Sequence, residues 1–341
     1  MHITHEPPRD DLRPRLIVWQ LTLSTNDDPE NIEPIPSTRV LSFQECSLII
    51  DSIARTAKPI LVLRGKGILR RSDMRDIVEY GLALGLKVIV EAEPEELSEE
   101  IIRNYSSFGP KIFRIQLDGG IVEDMDTRFR QSKEFLTLEQ SVKRMKEAGY
   151  EIHFAAEITN TSIRELAFKH DYAVRKGAKG VYCHFFFGDF HPENDTEDYH
   201  EDTVDSFIES IATMKYVSPK NMYFSPQCVK YGIREYSDFT EEDFSDSLRQ
   251  NFSNWTHWCL AGKSFAFINP EGVVQFCAGI PLPCGDLRAN GYNFKEIWEH
   301  SEIFERIRQM KLSCSQIQIE LNQPDIYTMK KYTDENEAEK I

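Results

Sequence analysis

The chain has 341 residues, a formal net charge of −16 and an apolar fraction of 40%. A mean hydropathy of −0.45 and the lack of any long apolar run exclude a helical membrane span, and the acidic balance excludes general nucleic-acid binding, which needs a basic surface. The polar start, Met1 to Arg15, has no apolar segment of the secretory kind, and seven cysteines, an odd number, fit a reducing compartment, so the cytoplasm is the expected location.

Strand and helix signals alternate along the first two thirds. Leu16 to Leu23 is β-rich and apolar; Ser42-x-x-Glu45 is a capping-box signature before the helical face of Ile49, Ile50 and Ile53. Pro59 to Leu63 reads as a buried strand. A helix from Ser72 closes at Gly85, and Leu86 to Val90 is the next strand. An acidic helix carries Leu97, Ile101 and Ile102, and Lys111 to Leu117 is a strand turned by Asp118-Gly119-Gly120. Thr137-x-x-Gln140 predicts the start of a helix ending at Gly149. Tyr150 to Ile158, a helix capped by Ser162, the strand Gly180 to Phe187 and a helix over Thr203 to Met214 complete about six β/α units. Such alternation implies parallel strands and right-handed crossovers, and six units rather than eight suit an open, partial barrel. No internal repeat is evident.

The last quarter has a different texture. Phe267-Ile268 and Val273-Val274-Gln275-Phe276 flank the turn Asn269-Pro270-Glu271-Gly272, predicting a hairpin that returns Cys277 toward Cys259. Twelve residues separate Cys259 from Gly272, and four separate Gly272 from Cys277. Ala278-Gly279-Ile280-Pro281, Gly285-Asp286-Leu287-Arg288 and a helix from Phe294 through Glu296-Ile297-Trp298 to Arg308 follow. This stretch resembles the SPASM or twitch extension of radical S-adenosylmethionine (radical SAM) enzymes, in the branch that includes tetrapyrrole and peptide maturases. The order of the earlier units resembles the partial barrel of the same family, with Pro14 to Ser24 as its first strand. The resemblance implies a partial (β/α)6 barrel over residues 14–217, a connection over 218–257 and an α+β extension over 258–318, with tails at 1–13 and 319–341.

Where the resemblance places the chemistry, the residues differ. Active members of the family carry Cys-x-x-x-Cys-x-x-Cys after the first strand, three thiolates of a [4Fe–4S] cluster whose open iron chelates SAM. Thr25, Pro29 and Ile32 stand at those positions, and none of them replaces a thiolate. After the second strand Arg64-Gly65-Lys66-Gly67 stands where the family has Gly-Gly-Glu-Pro, so Lys66 meets the SAM ammonium group with like charge. These departures predict a chain that does not use SAM: a non-catalytic accessory or recognition subunit in peptide or tetrapyrrole cofactor maturation, partnering an active maturase or a peptide.

Two other centres stay open. Cys259, Cys277, Cys284 and Cys314 suffice for one [4Fe–4S] cluster, with electron transfer as a role, or for one zinc ion, and they read equally well as reduced, empty thiols. Glu91, Asp118, Glu157 and His184 fall near the C-terminal ends of successive strands, the end at which β/α barrels do chemistry, and could hold a divalent metal that activates water. Solvated rim residues are the plainer reading of that set.

Overall fold

The computed structural model describes residues 12–22, 40–117, 132–158, 166–185, 222–225, 262–276 and 282–309. The strands β1 (Leu16–Gln20), β2 (Ile60–Arg64), β3 (Lys87–Ala92), β4 (Phe113–Gln116), β5 (His153–Ile158), β6 (Gly180–Phe185) and β7 (Met222–Ser225) pair in that order, all parallel. On its other side β1 pairs in parallel with β8 (Phe265–Ile268), and β9 (Val273–Gln275) and β10 (Pro283–Asp286) continue antiparallel. One ten-stranded open sheet results, ordered β10-β9-β8-β1-β2-β3-β4-β5-β6-β7. The partial α/β barrel expected from the sequence is present. The C-terminal extension shares its sheet, and a seventh parallel strand falls within segment 218–257.

Side chains alternate across the sheet as the two-residue period of a strand requires. Ile17 and Trp19 of β1, Leu61 and Leu63 of β2, Val88 and Val90 of β3 and Phe113 and Ile115 of β4 are buried under the helices. These helices include α1 (Phe43–Thr56), α2 (Met74–Ala83), α3 (Glu99–Asn104), α4 (Lys133–Glu147) and α5 (Leu166–Arg175). The Ser42 capping box is complete: Oγ accepts from the Glu45 N–H, and the Glu45 carboxylate accepts from the Ser42 N–H. Helix α4 begins a turn before its predicted start, with Ser132 as its cap. Thr137 lies inside the helix and its hydroxyl donates to the Lys133 carbonyl at 2.8 Å, so a threonine bonding back one turn had imitated a cap. The predicted helices at Ser162 and at Thr203 to Met214 start or lie outside the described residues.

The extension is fastened by the sequence runs that first singled it out. Asn269 Oδ1 accepts from the N–H groups of Glu271 and Val273, and Gly272 takes φ 91°, closing the turn between β8 and β9. Asp286 Oδ1 accepts from the N–H groups of Arg288 and Ala289, Leu287 is fully buried, and Arg288 pairs with Glu45 of α1 at 2.8 Å. The helix expected to run from Phe294 to Arg308 is two helices, α6 (Phe294–His300) and α7 (Glu302–Gln309). The break is at Ser301, which is extended at ψ 121° and whose Oγ accepts from the Phe304 N–H. The bend lets Trp298, Phe294 and Phe304 pack as one aromatic group, and Trp298 Nε1 donates to the Leu12 carbonyl at 2.6 Å.

Gly285 is where β10 touches α6. A Cβ there would lie 2.8 Å from Ile297 Cγ1 and within 3.0 Å of two further Ile297 carbons. Gly285→Ala is expected to lower stability by about 1–3 kcal/mol through overpacking, read as a lower denaturation midpoint. Restoring the midpoint by adding Ile297→Val would assign the loss to this contact, and no loss would refute it.

Candidate functional site

The opposite face of the sheet lines the barrel interior. Its lower part is apolar: Val18, Val62, Ile89, Phe265 and Phe267 meet Phe276 and the α7 residues Ile303 and Ile307. Above them the same alternation brings polar side chains inward. Arg64 follows Val62, Glu91 follows Ile89, and Arg114 lies between the outward Phe113 and Ile115. Register pairs Gln20 with Arg64 and Glu91 with Arg114.

Glu91 is fully buried and accepts from Arg114 Nη1 at 3.0 Å. The Arg114 guanidinium lies 3.5 Å from the centroid of the Tyr182 ring on β6, a close cation–π stack. The strand between them carries Ala155 opposite both Gln116 and Tyr182, and its small side chain leaves the path across β5 open. His153 sits beside this group, its ring 6.0 Å from that of Tyr182. Burial, and then the Arg114 charge, hold its pKa below the usual imidazole value.

The loop after β2 closes against β1 and β3. Gly65 adopts φ 137°, and a Cβ on it would lie 2.1 Å from Thr22 Oγ1, so only glycine fits. The Thr22 hydroxyl donates to the Lys66 carbonyl at 2.9 Å, and the Gly67 N–H donates to Glu93 at 3.4 Å. Glu96, buried, accepts from the Leu69 N–H at 2.8 Å and the Glu93 N–H at 3.2 Å. Burial outweighs these donors and pushes its carboxyl from about 4.5 up to about 7. A carboxyl raised in the folded state binds its proton more tightly there than in the unfolded chain. Its stabilising contribution is therefore complete below about pH 4.5 and lost as the pH rises to about 7. Glu96→Gln is expected to flatten the melting temperature over that interval, and an unchanged slope would show that Glu96 does not titrate there.

The sequence candidates divide unevenly. Glu91 is held by Arg114 at 3.0 Å. Glu157 and His184 are register partners at the ends of β5 and β6, while their side chains, and Asp118 altogether, lie outside the described residues. No group of three or more potential metal ligands occurs among the described residues. Thr25, Pro29, Ile32, Cys259, Cys277 and Cys314 also lie outside them. Cys284 is half-buried on β10, with its thiol donating to the Leu282 carbonyl at 3.6 Å. Arg64 closes β2 with its side chain buried on the interior face. Arg114 and Tyr182 were missed. Their signal was the alternation itself, an arginine between two buried residues of a short strand.

The radical SAM cluster does not fit the residues of the first loop. It needs three thiolates where Thr25, Pro29 and Ile32 stand. The described cysteine of α1, Cys46, is fully buried, and burial pushes its thiol up to about 12, making it a protonated packing group.

No family model matches the chain. It is 26% identical over 316 residues to an AdoMet-dependent heme synthase of Methanosarcina barkeri, covering 88% of this chain and 87% of the relative. It is 24% identical to a protein of the same name from Oleidesulfovibrio alaskensis, covering 86% and 76%. In fold it is similar to the crystal structure of Streptococcus suis SuiB, with a TM-score of 0.54 at 12% identity, covering 88% of this chain and 68% of that one. These findings correct two expectations. Relatives matched over most of their length are named as enzymes, which overturns the accessory, non-catalytic reading, and as AdoMet-dependent, which opposes the expectation that SAM plays no part. The missing cysteines concern one loop, whereas the likeness runs through the whole barrel and extension. No helix among the described residues is long and apolar enough to cross a membrane. The relatives, the parallel sheet and its solved neighbour make this chain similar to the radical SAM family, a likeness that supports an iron–sulfur cluster as its class of cofactor.

Proposed function

We propose that the chain acts in AdoMet-dependent heme formation, with a tetrapyrrole held in the mouth of the partial barrel and SAM as its second small molecule. The observation that carries this reading is the shared name of relatives aligned over more than four fifths of the chain. The interior supports it physically. Above the closed apolar floor, the buried Arg64 and Arg114 on the inward face suit the charged substituents of such a ring. Haemin and SAM are each expected to bind saturably at one equivalent and to raise the melting temperature by linkage, with a shifted Soret band for haemin. If neither binds, this function falls.

The iron–sulfur cluster we assign to the extension, because four of the seven cysteines, Cys259, Cys277, Cys284 and Cys314, fall within its 56 residues from first to last. Thiolates select iron–sulfur centres or zinc over harder metals. Anaerobically reconstituted protein is expected to carry stoichiometric iron and sulfide. Joint replacement of Cys259 and Cys277 by Ala should abolish both, and Cys46→Ala should abolish neither. Zinc in place of iron, or no metal in the wild type, would overturn the assignment.

A further inference from the structure

We propose that Arg114 is a carboxylate-binding residue on the inner wall of the barrel, with Glu91 and Tyr182 as the residues that position it. The carboxylate is a side chain of the tetrapyrrole or the methionyl carboxylate of SAM, and in this the proposal rests on the function assigned above.

Three features of the guanidinium point to a ligand. Arg114 is nine-tenths buried on the face that lines the interior, two residues before the end of β4. It is oriented from two sides, by the fully buried Glu91 at 3.0 Å and by the Tyr182 ring at 3.5 Å. Ring stacking covers the face of a guanidinium and leaves the N–H groups at its edge directed outward. Among the described residues Glu91 is its one hydrogen-bond partner, so most of its five donors have no protein acceptor there. A fork of this kind, fixed before a ligand arrives, takes a carboxylate through two parallel N–H bonds.

Charge points the same way. The described inward wall carries two buried guanidiniums, Arg64 and Arg114, and one buried carboxylate, Glu91. His153, the neighbour of Arg114 on β5, is held below the usual imidazole pKa by burial, and the half-exposed Glu151 lies 3.5 Å from its Nε2. An ion pair with a purely packing role needs neither the stack nor the second arginine. An anion entering from the mouth meets a guanidinium at Arg114 that is already oriented.

The test is differential binding. Deuteroporphyrin IX and its dimethyl ester form one pair of probes, and SAM and decarboxylated SAM form the other. For one pair, Arg114→Gln is expected to weaken the acid by about tenfold or more while leaving the carboxylate-free analogue unchanged. Arg114→Lys keeps the charge beside Glu91 and should lose the same preference, because it lacks the fork; a merely structural arginine would be rescued by it. The Glu91→Gln, Arg114→Gln double variant removes both buried charges, and a melting temperature near that of the wild type confirms that lost binding is not lost folding. Which pair responds identifies the source of the carboxylate. A response of the SAM pair alone, with no porphyrin bound, would sustain the Arg114 site and remove the tetrapyrrole reading. Equal effects on acid and neutral probes, no effect on either, or a wild type that binds none of the four would overturn the proposal.

Discussion

The parallel pairing of β1 with β8 is the constraint on which the rest of this structure depends. Arg15 and Leu16 both donate to the Ser264 carbonyl, and the register then runs from Leu16–Phe265 to Trp19–Ile268. With β2 on its other edge, β1 is paired on both sides from Leu16 to Trp19, and Ile17, Val18 and Trp19 are buried on both faces, as an apolar run requires. The pairing places β9 and β10 in the same sheet and swings α7 beneath the barrel. There Ile303 and Ile307 fill the lower interior that Val18 and Val62 would otherwise expose to water. The polar wall can be buried because this floor is dry.

That floor changes the meaning of the C-terminal sequence runs. Gly285-Asp286-Leu287-Arg288 and Glu296-Ile297-Trp298 mark the extension by resemblance, and their residues are fasteners. Gly285 admits Ile297, Asp286 turns the chain, and Leu287 fills the core. Arg288 draws Glu45, the residue that also caps α1, well below the usual carboxylate range, to about 2. Arg288 also donates to the Val40 carbonyl, and Tyr292 joins Arg288 on Glu45. One carboxylate thus serves the first helix and the extension together, so cap, loop and extension hold their positions jointly.

Strands and their order were legible because buried parallel strands are short apolar runs separated by glycine and capping signals; the Ser42 box and the Gly272 turn stand as read. The capping signal at Thr137 misled because the same hydroxyl can bond backward inside a helix. Ser301 hid a bend because a serine between two helical patterns carries no breaker signal. The site was less legible than the fold. A carboxylate at a strand end draws notice as a metal ligand, yet whether Glu91 is free or held depends on Arg114, 23 residues away. That contact follows from strand pairing, which no motif records. The functional class was misjudged for a related reason: three absent thiols at one loop weighed more than a likeness spread thinly along the chain.

The β1–β8 ladder also bears on how this chain is made. Its two halves are separated by about 250 residues, so β1 leaves the ribosome long before its second neighbour exists. Until Phe265–Ile268 emerges, β1 is an open edge strand, and the apolar wall of Val18, Val62 and Ile89 has no floor. Loop closure over such a span is slow, and an exposed parallel edge with an uncovered apolar face is a template for pairing between nascent chains. The extension is thus the last-made part of the core as well as its base. A product released before residue 262 carries both an unpaired strand and a greasy cavity, which makes it a substrate for chaperones and proteases rather than a smaller working barrel.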